Sequence, residues 1–578
     1  MKKKILYVIA VALLSAGCNE RDYLTEVPLD FMSTSNAFQT ETDFNMSIND
    51  LYDYTRYEFY GYNEYRPMDY IYATDLVWDG EPGGIEKHGN MASAYDVTSH
   101  IPRTHWNNFY KLISSANVII DRIKLTEFDE DVKTGFEAKA RFFRGLAYRS
   151  LAYLFGGVPL VLTEIDAIKT DFVRSTKEQT LDQAISDVKF AAENLPDITD
   201  VRDGEVSSTA AYHLLSELYL AKNEYQNAVD AAGKVIDNPA MALMTERFGS
   251  RKDETPGDVY WDMFRMNNQN RGSGNKEAIW VIQYEADLPG GGASTVTAKT
   301  TGNYCLERNV GPMFNHTTLT IDGKKYTPFN KWPCSDLTGG RGIGWAISTR
   351  FFSNTVWEDD FYGDMRNANH NFARVFPVHN QELIAMGITE IDVDNPPAGL
   401  HAGGPFDGSI PARGMYAYQT KVTTPGNHPD ALYSNKATGQ LKSSAGATYT
   451  DQYMFRLAET YLLRAEAYIG LEKYALAAAD VNAVRARAHA KPATEDQMTI
   501  DYILDERVRE FGVEEKRRLT LMRLGKLYER VMKYNPYFAD PETNGDGVGM
   551  LEKYNLWPIP QAAIEANKDA VLEQNPGY

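Results

Sequence analysis

Residues 456–488 read RLAETYLLRAEAYIGLEKYALAAADVNAVRARA, and their spacing decides how the rest of the chain is understood. Leu457, Tyr461, Leu462, Ala465, Tyr468 and Ile469 fall at helical intervals and make one inward stripe. Gly470 breaks the run, and a second stripe follows at Tyr474, Ala477, Ala478, Val481 and Val484. Only a few residues separate the two, so the helices pack antiparallel. Residues 210–239, AAYHLLSELYLAKNEYQNAVDAAGKVIDNP, repeat the pattern. Laying Tyr219 on Tyr468 also puts Tyr225 on Tyr474, Ala228 on Ala477 and Val235 on Val484. The alanines let paired helices approach closely, and the tyrosines fill the groove at the turn.

A helix pair with alanines at fixed positions and a closing proline resembles the tetratricopeptide pattern. Further helices are expected around 105–125, 136–155, 180–194 and 500–534. Gly156-Gly157 with Pro159 just beyond stops the second of these. Ser35-Asn36 and Thr42 offer caps before Phe44, Ile48 and Leu51. Between Thr245 and Thr450 the stripes fade while glycine, proline, asparagine and tryptophan rise. Apolar segments there, such as Ala278–Tyr284, are short enough for small strands. The expected fold is therefore mainly α, a helix-pair superhelix with an irregular, loop-rich subdomain containing small strands. The division reads as a leader at 1–17, an N-terminal helical part with a glycine-rich loop at 18–244, an irregular ligand-binding insertion at 245–450, and a C-terminal part at 451–578 that completes the superhelix.

The chain opens MKKKILYVIAVALLSAGC: three lysines, then an apolar run from Ile5 to Leu14 too short to anchor in a bilayer. Leu14-Ser15-Ala16-Gly17-Cys18 resembles a bacterial lipobox, which implies cleavage before Cys18 and acylation of its sulfur, with several acyl chains giving stable attachment. The alternative is an ordinary secretory leader with an incidental cysteine. The formal charge of -20 argues against nucleic acid as a partner, because phosphate binding needs a basic surface. Cys305 and Cys334 are left for an oxidising compartment, either bridged or as two thiols.

Aromatic residues are the sequence's best candidates for ligand contact, since flat rings suit the C–H face of a sugar and amides or charged groups suit its hydroxyls. Trp78 lies between Asp75 and Asp79 in a glycine-rich loop, where a large ring is poorly buried. Tyr304, Trp332, Trp345 and Trp357 are further candidates in the insertion; Trp261 is less secure, and Trp557 reads as structural. The run ERVREFGVEEKRR at 506–518 reads as a solvated helix face with internal ion pairs. Asp540, Glu542, Asn544, Gly545 and Asp546 look like the start of a calcium loop, but position 551, where the closing glutamate belongs, is Leu551. No metal or other cofactor is expected beyond that weak calcium cue, and no catalytic residue is singled out.

Four blocks carry a more specific likeness: AKARFFRGLAYRSLAYLFGGVPLV at 138–161, the hairpin from Arg456 with its NAVRARA ending, ILDERVREFGVEEKRRLTLMRLGKL at 503–527, and the terminal WPIP with QNPGY. With the lipobox, they resemble the SusD/RagB family of outer-membrane nutrient-binding lipoproteins. The resemblance implies a lid over a SusC-like TonB-dependent transporter that captures oligosaccharides, or in some members peptides, without covalent chemistry. It is weakest between 245 and 450, where ligand choice would be made. A glycosidase would need two carboxylates across a cleft, but no nucleophile elbow, zinc motif or phosphate loop occurs. A pure helical-repeat scaffold would have no need of the tryptophan-bearing insertion.

Overall fold

The structure, a computed structural model, describes residues 38–61, 66–80, 90–288, 305–403, 412–423, 428–540 and 549–578. The leader, Cys18 and most of the calcium-like stretch lie outside the described residues. About 48% of the chain is helical, with a few short strands.

The first helix among the described residues, α1 (Glu41–Tyr60), starts two residues earlier than a cap at Thr42 suggested. Thr40 is its cap, accepting from the backbone N–H of Asp43, whose carboxylate reaches back to the cap. Then come α2 (His100–Ile123), α3 (Glu130–Phe155), α4 (Lys177–Asn194), α5 (Ser208–Ala221) and α6 (Tyr225–Ile236). Each packs on the next. The chain then leaves the array for the insertion and returns as α7 (Leu457–Gly470) and α8 (Tyr474–Arg487), with α7 lying directly on α6. The two hairpins that share a pattern are therefore neighbours in space. Leu220, Ala228, Leu463 and Ala467 form the seam between them. The repeat extends to the turns, where Asn223 and Glu472 occupy equivalent places and both adopt a left-handed backbone.

The equivalent tyrosines have different fates. Tyr225 lays its ring on Gly470, where an added Cβ would come within 2.5 Å. Tyr474, expected inward, is 42% exposed, and among the described residues no third hairpin stacks on α8. A repeat unit buries its turn tyrosine only against a following unit, which a single-hairpin pattern cannot reveal.

Beyond α8 the helical block is broken into α9 (Ile500–Glu510), α10 (Arg517–Arg523) and α11 (Leu527–Tyr534). The 506–518 run is not a solvated face. Glu506, Arg507, Glu510, Arg517 and Arg518 are all buried. Glu506 accepts from Arg366 (2.8 Å), Arg485 (2.7 Å) and Arg509 (2.8 Å). Glu510, one turn along, accepts from Arg366 (3.0 Å), Arg456 and Arg487. Burial alone would raise both carboxyls, but the surrounding guanidiniums hold them well below the usual range. Helical spacing showed which residues share a face; apart from Arg509, the opposing arginines come from elsewhere in the chain.

In the insertion, strand β2 (Ala278–Ile282) pairs antiparallel with the segment entering α7, Gln452–Arg456. Thr317–Ile321 pairs with Lys324–Tyr326 and with Leu400–Ala402. These small sheets share one apolar core with the helices, running from Phe44 to Leu572. Replacing Gly470 by leucine is expected to force Tyr225 off the seam and cost about 1–3 kcal/mol by overpacking. Urea unfolding reads this directly, and an unchanged midpoint would argue against the stacked hairpins.

Candidate ligand-binding site

Trp78 sits on a three-residue strand, β1 (Val77–Asp79), that pairs antiparallel with Ala346–Ser348. Trp78 faces Ile347 directly, and the ladder runs one step further through the Gly80 N–H donating to the Trp345 carbonyl at 2.8 Å. Opposed residues of such a pair point to one side, and alternate residues return to it. Trp78, Ile347 and Trp345 thus share a face, the two indoles being diagonal neighbours, on the order of 7–8 Å apart at their backbones. Gly80 is required here, since a Cβ would fall 1.9 Å from the Gly344 carbonyl oxygen.

Both indoles are half-buried. One side of Trp78 leans on the buried Tyr537 ring, 4.8 Å between centroids and tilted by 32°. The Arg308 guanidinium stands 5.9 Å from the Trp345 ring centre. The ribbon therefore carries two half-buried indoles flanking the fully buried Ile347, with the buried Arg308 guanidinium beside one of them. Tyr537 was not singled out in the sequence; it lies in an ordinary NPYF stretch that carries no cue of its own.

The segment that bears Trp78 is held rigidly. Arg517 grips the buried Asp75 carboxylate with two hydrogen bonds (2.9 and 2.7 Å), and Arg530 adds a third (2.9 Å). Burial would raise the Asp75 pKa, but Arg517 and then Arg530 hold it down to about 2. Asn535 donates to the carbonyls of Thr74 (2.7 Å) and Val77 (3.0 Å), and Arg518 to that of Asp69 (2.9 Å). Thr349, just past the partner strand, donates from its hydroxyl to the Asp75 carbonyl at 2.8 Å. Asp75 is ionised and fully engaged, so it cannot act as a proton donor beside the tryptophan.

The other candidates scatter. Trp357 is a correction: it is 1% exposed, its indole N–H donates to the Phe352 carbonyl (2.9 Å), and it presents no face to a ligand. Trp261 is equally buried, between the Arg251 and Arg265 guanidiniums. Trp557 is buried against Tyr95 and Phe155, as a structural residue should be. Trp332 lies half-buried on a separate cluster with Leu432, Leu441 and Tyr433. Tyr304 lies outside the described residues. Cys305 and Cys334 are not joined. The Cys334 sulfur is 3.4 Å from His428 Nδ1, whose Nε2 lies 2.7 Å from Glu307. Burial disfavours the charged ring, but Glu307 pushes its pKa up to about 10, so His428 is the cation of an ion pair and has no role as a base near neutral pH.

One family model, described as the SusD family, matches residues 412–578, and another, described as starch-binding and associating with the outer membrane, matches 22–220. The chain belongs to the SusD/RagB family. The SusD-like protein P2 of Formosa agariphila is 24% identical over 594 residues, covering all of both chains. The starch-binding protein SusD of Bacteroides thetaiotaomicron is 36% identical over 140 residues, 24% of each chain. Among solved structures, a laminarin-binding SusD-like protein matches with a TM-score of 0.64 at 21% identity, over 93% of this chain and all of that one. A SusD homologue from Bacteroides thetaiotaomicron matches with a TM-score of 0.67 at 18% identity, over 94% of this chain and 98% of that one. At these identities the structural likeness establishes the SusD-like fold.

Asp75→Asn leaves two buried guanidiniums short of a counter-charge and is expected to cost about 3 kcal/mol at pH 7. Because the folded carboxyl titrates near 2 and an unfolded one near 3.9, this stabilisation is present above about pH 5 and is lost as pH falls through 4 towards 2. Urea midpoints should therefore converge for the two proteins at low pH; a gap that stays constant would place the effect elsewhere.

Proposed function

We propose that this chain is a cell-surface glycan-binding lipoprotein that serves as the lid of a TonB-dependent outer-membrane transporter. The observation that carries the binding reading is the ribbon that sets Trp78 and Trp345 on one face. Two flat, partly exposed rings with fixed spacing match the apolar C–H surfaces of consecutive sugar units, while the nearby guanidinium and backbone groups suit hydroxyls. Relatives described as binding starch or laminarin, and a SusD-fold protein solved with laminarihexaose, support an oligosaccharide over other nutrients.

The lid and tether rest on different support. The family model described as associating with the outer membrane, together with the leader that ends just before Cys18, supports lipid attachment. Among the described residues no helix is long and apolar enough to cross a membrane. The stiff helical array gives a lid something to turn as a unit, and the transporter partner is the one that the family resemblance implies. The ligand is released as it was bound: the tryptophans offer contact and not proton transfer, and the relatives are described as binders.

In calorimetry with a bound oligosaccharide, Trp78→Ala and Trp345→Ala should each weaken affinity by about 1 kcal/mol or more, the order of one stacking contact. Trp357→Ala should instead lower stability by about 3–5 kcal/mol with affinity of the folded fraction unchanged. Unaltered affinity in both ribbon variants would remove the ribbon from the site, and cleavage products after incubation would replace the lid by an enzyme. Cys18→Ala should release the protein from membranes; a variant that stays in the membrane fraction after a carbonate wash would refute the lipid tether.

A further inference from the structure

The loop from Lys331 to Trp345 carries an arginine whose charge is not balanced. Arg341 is only 8% exposed, and its Nε and Nη1 are buried without a hydrogen-bond acceptor. Among the described residues no carboxylate stands within ion-pair distance of it. The acids nearest in sequence or along the loop are committed elsewhere. Asp336 takes two hydrogen bonds from Arg251 (2.8 Å each), and Glu307, against which Gly340 packs, is paired with His428.

A guanidinium cannot shed its proton near neutral pH, so burying it unpaired costs several kcal/mol. Next to it lies a second orphan donor. The indole N–H of Trp332 is buried without an acceptor, and the Arg341 guanidinium carbon is 5.3 Å from that ring's centre. Lys331 brings a further cation to 4.3 Å from the same ring. Trp332 also holds a left-handed backbone, φ +50°, which a bulky residue adopts only when its surroundings enforce it. Its carbonyl is tied to the Leu441 N–H (3.0 Å) and its neighbour Cys334 to the Gly439 carbonyl (2.6 Å). The loop is thus pinned in a strained shape that brings Lys331, Arg341 and the Trp332 indole together, while its one carboxylate, Asp336, is held by Arg251.

We propose that Arg341 and Trp332 form an oxyanion subsite that takes the carboxylate of a uronic acid or the sulfate ester of an acidic glycan. This rests on the glycan-binding reading and adds the charge class of the ligand. A planar guanidinium accepts either oxyanion through paired hydrogen bonds, and the indole N–H supplies a further donor. The chain carries -20 overall, so long-range steering repels such a ligand and the affinity has to come from these contacts.

The test is calorimetry on the mature chain with oligogalacturonide, a sulfated galactan oligosaccharide, and the carboxyl-reduced or desulfated counterpart of each. One acidic ligand should bind at least about tenfold more tightly than its neutral counterpart, the lower end for charge-assisted hydrogen bonds. Which of the two does so tells carboxylate from sulfate. Arg341→Gln should abolish that advantage and leave binding of the neutral counterpart unchanged. Arg341→Lys, which keeps the charge without the planar fork, should lose most of it and guards against misfolding of the first variant. In thermal melts, inorganic sulfate should stabilise the wild type more than chloride at equal ionic strength, and Arg341→Gln should lose this difference. Equal affinity for acidic and neutral ligands, with binding still dependent on Trp78, would overturn the subsite and leave the glycan reading standing. Binding of no oligosaccharide, acidic or neutral, would overturn both.

Discussion

Buried arginine–carboxylate pairing is the constraint on which the rest of this structure depends. Glu506 and Glu510, one turn apart on α9, collect arginines from three separated parts of the chain: Arg366 from the insertion, Arg456 from the strand entering α7, and Arg485 and Arg487 from the end of α8. Glu277, at the start of β2, accepts from Arg456 (3.0 Å) and Arg487 (2.9 Å) and closes the circuit. Such pairs contribute little net stability relative to a well-packed apolar core, but separating any one of them strands a charge away from water. Their consequence is positional. The insertion, the strand and the second hairpin have one mutual arrangement in which every charge is matched, although the chain between them is mostly loop.

The same device reaches the candidate site. Asp75 lies far from Arg517 and Arg530 in sequence, and its carboxylate joins the glycine-rich segment after α1 to the helices that follow the second hairpin. Three side chains that donate to the backbone carbonyls of Asp75 and its neighbours leave β1 little freedom. Its partner strand comes from the middle of the insertion. Two segments some 270 residues apart, each too short to be stable alone, therefore present Trp78 and Trp345 together because both are bolted to helices. Ligand-binding faces built on loops usually need such a frame to lower the cost of ordering on binding.

How much of this could be read from the chain depends on whether the information is local. The hairpins were legible because a repeat carries its own spacing, down to the matched tyrosines and alanines. Their stacking on one another, with the insertion looped out between them, follows from the same equivalence. The helix start at Thr40 and the breaks within 500–534 were blurred, since end residues are chosen by single hydrogen bonds. The charged run at 506–518 was misread for a physical reason. Periodicity identifies a polar face, but a face of glutamates looks alike whether water or arginines stand opposite. Trp345 and Trp357 show the same limit. Both sit in loop-rich sequence, yet one opens a strand paired to β1 and the other caps a short turn with its N–H satisfied inside the core.

Arginine consequently does two kinds of work here, and its partners distinguish them. Arg366, Arg456, Arg487 and Arg517 have their charge matched by two or more carboxylate contacts, and with those satisfied they offer nothing to a ligand. Arg341 sits in the same protein at similar depth with its donors unmatched, next to an indole N–H in the same condition. Burial without compensation is disfavoured unless something outside the chain completes it. Arg518, fully buried and also without a carboxylate contact among the described residues, spends its donors on the Asp69 and Tyr72 carbonyls and the Tyr95 hydroxyl, whereas Nε and Nη1 of Arg341 have no such acceptor. On this argument Arg341, left without a carboxylate, is the arginine that a ligand would complete, while the matched ones hold the frame around it in place.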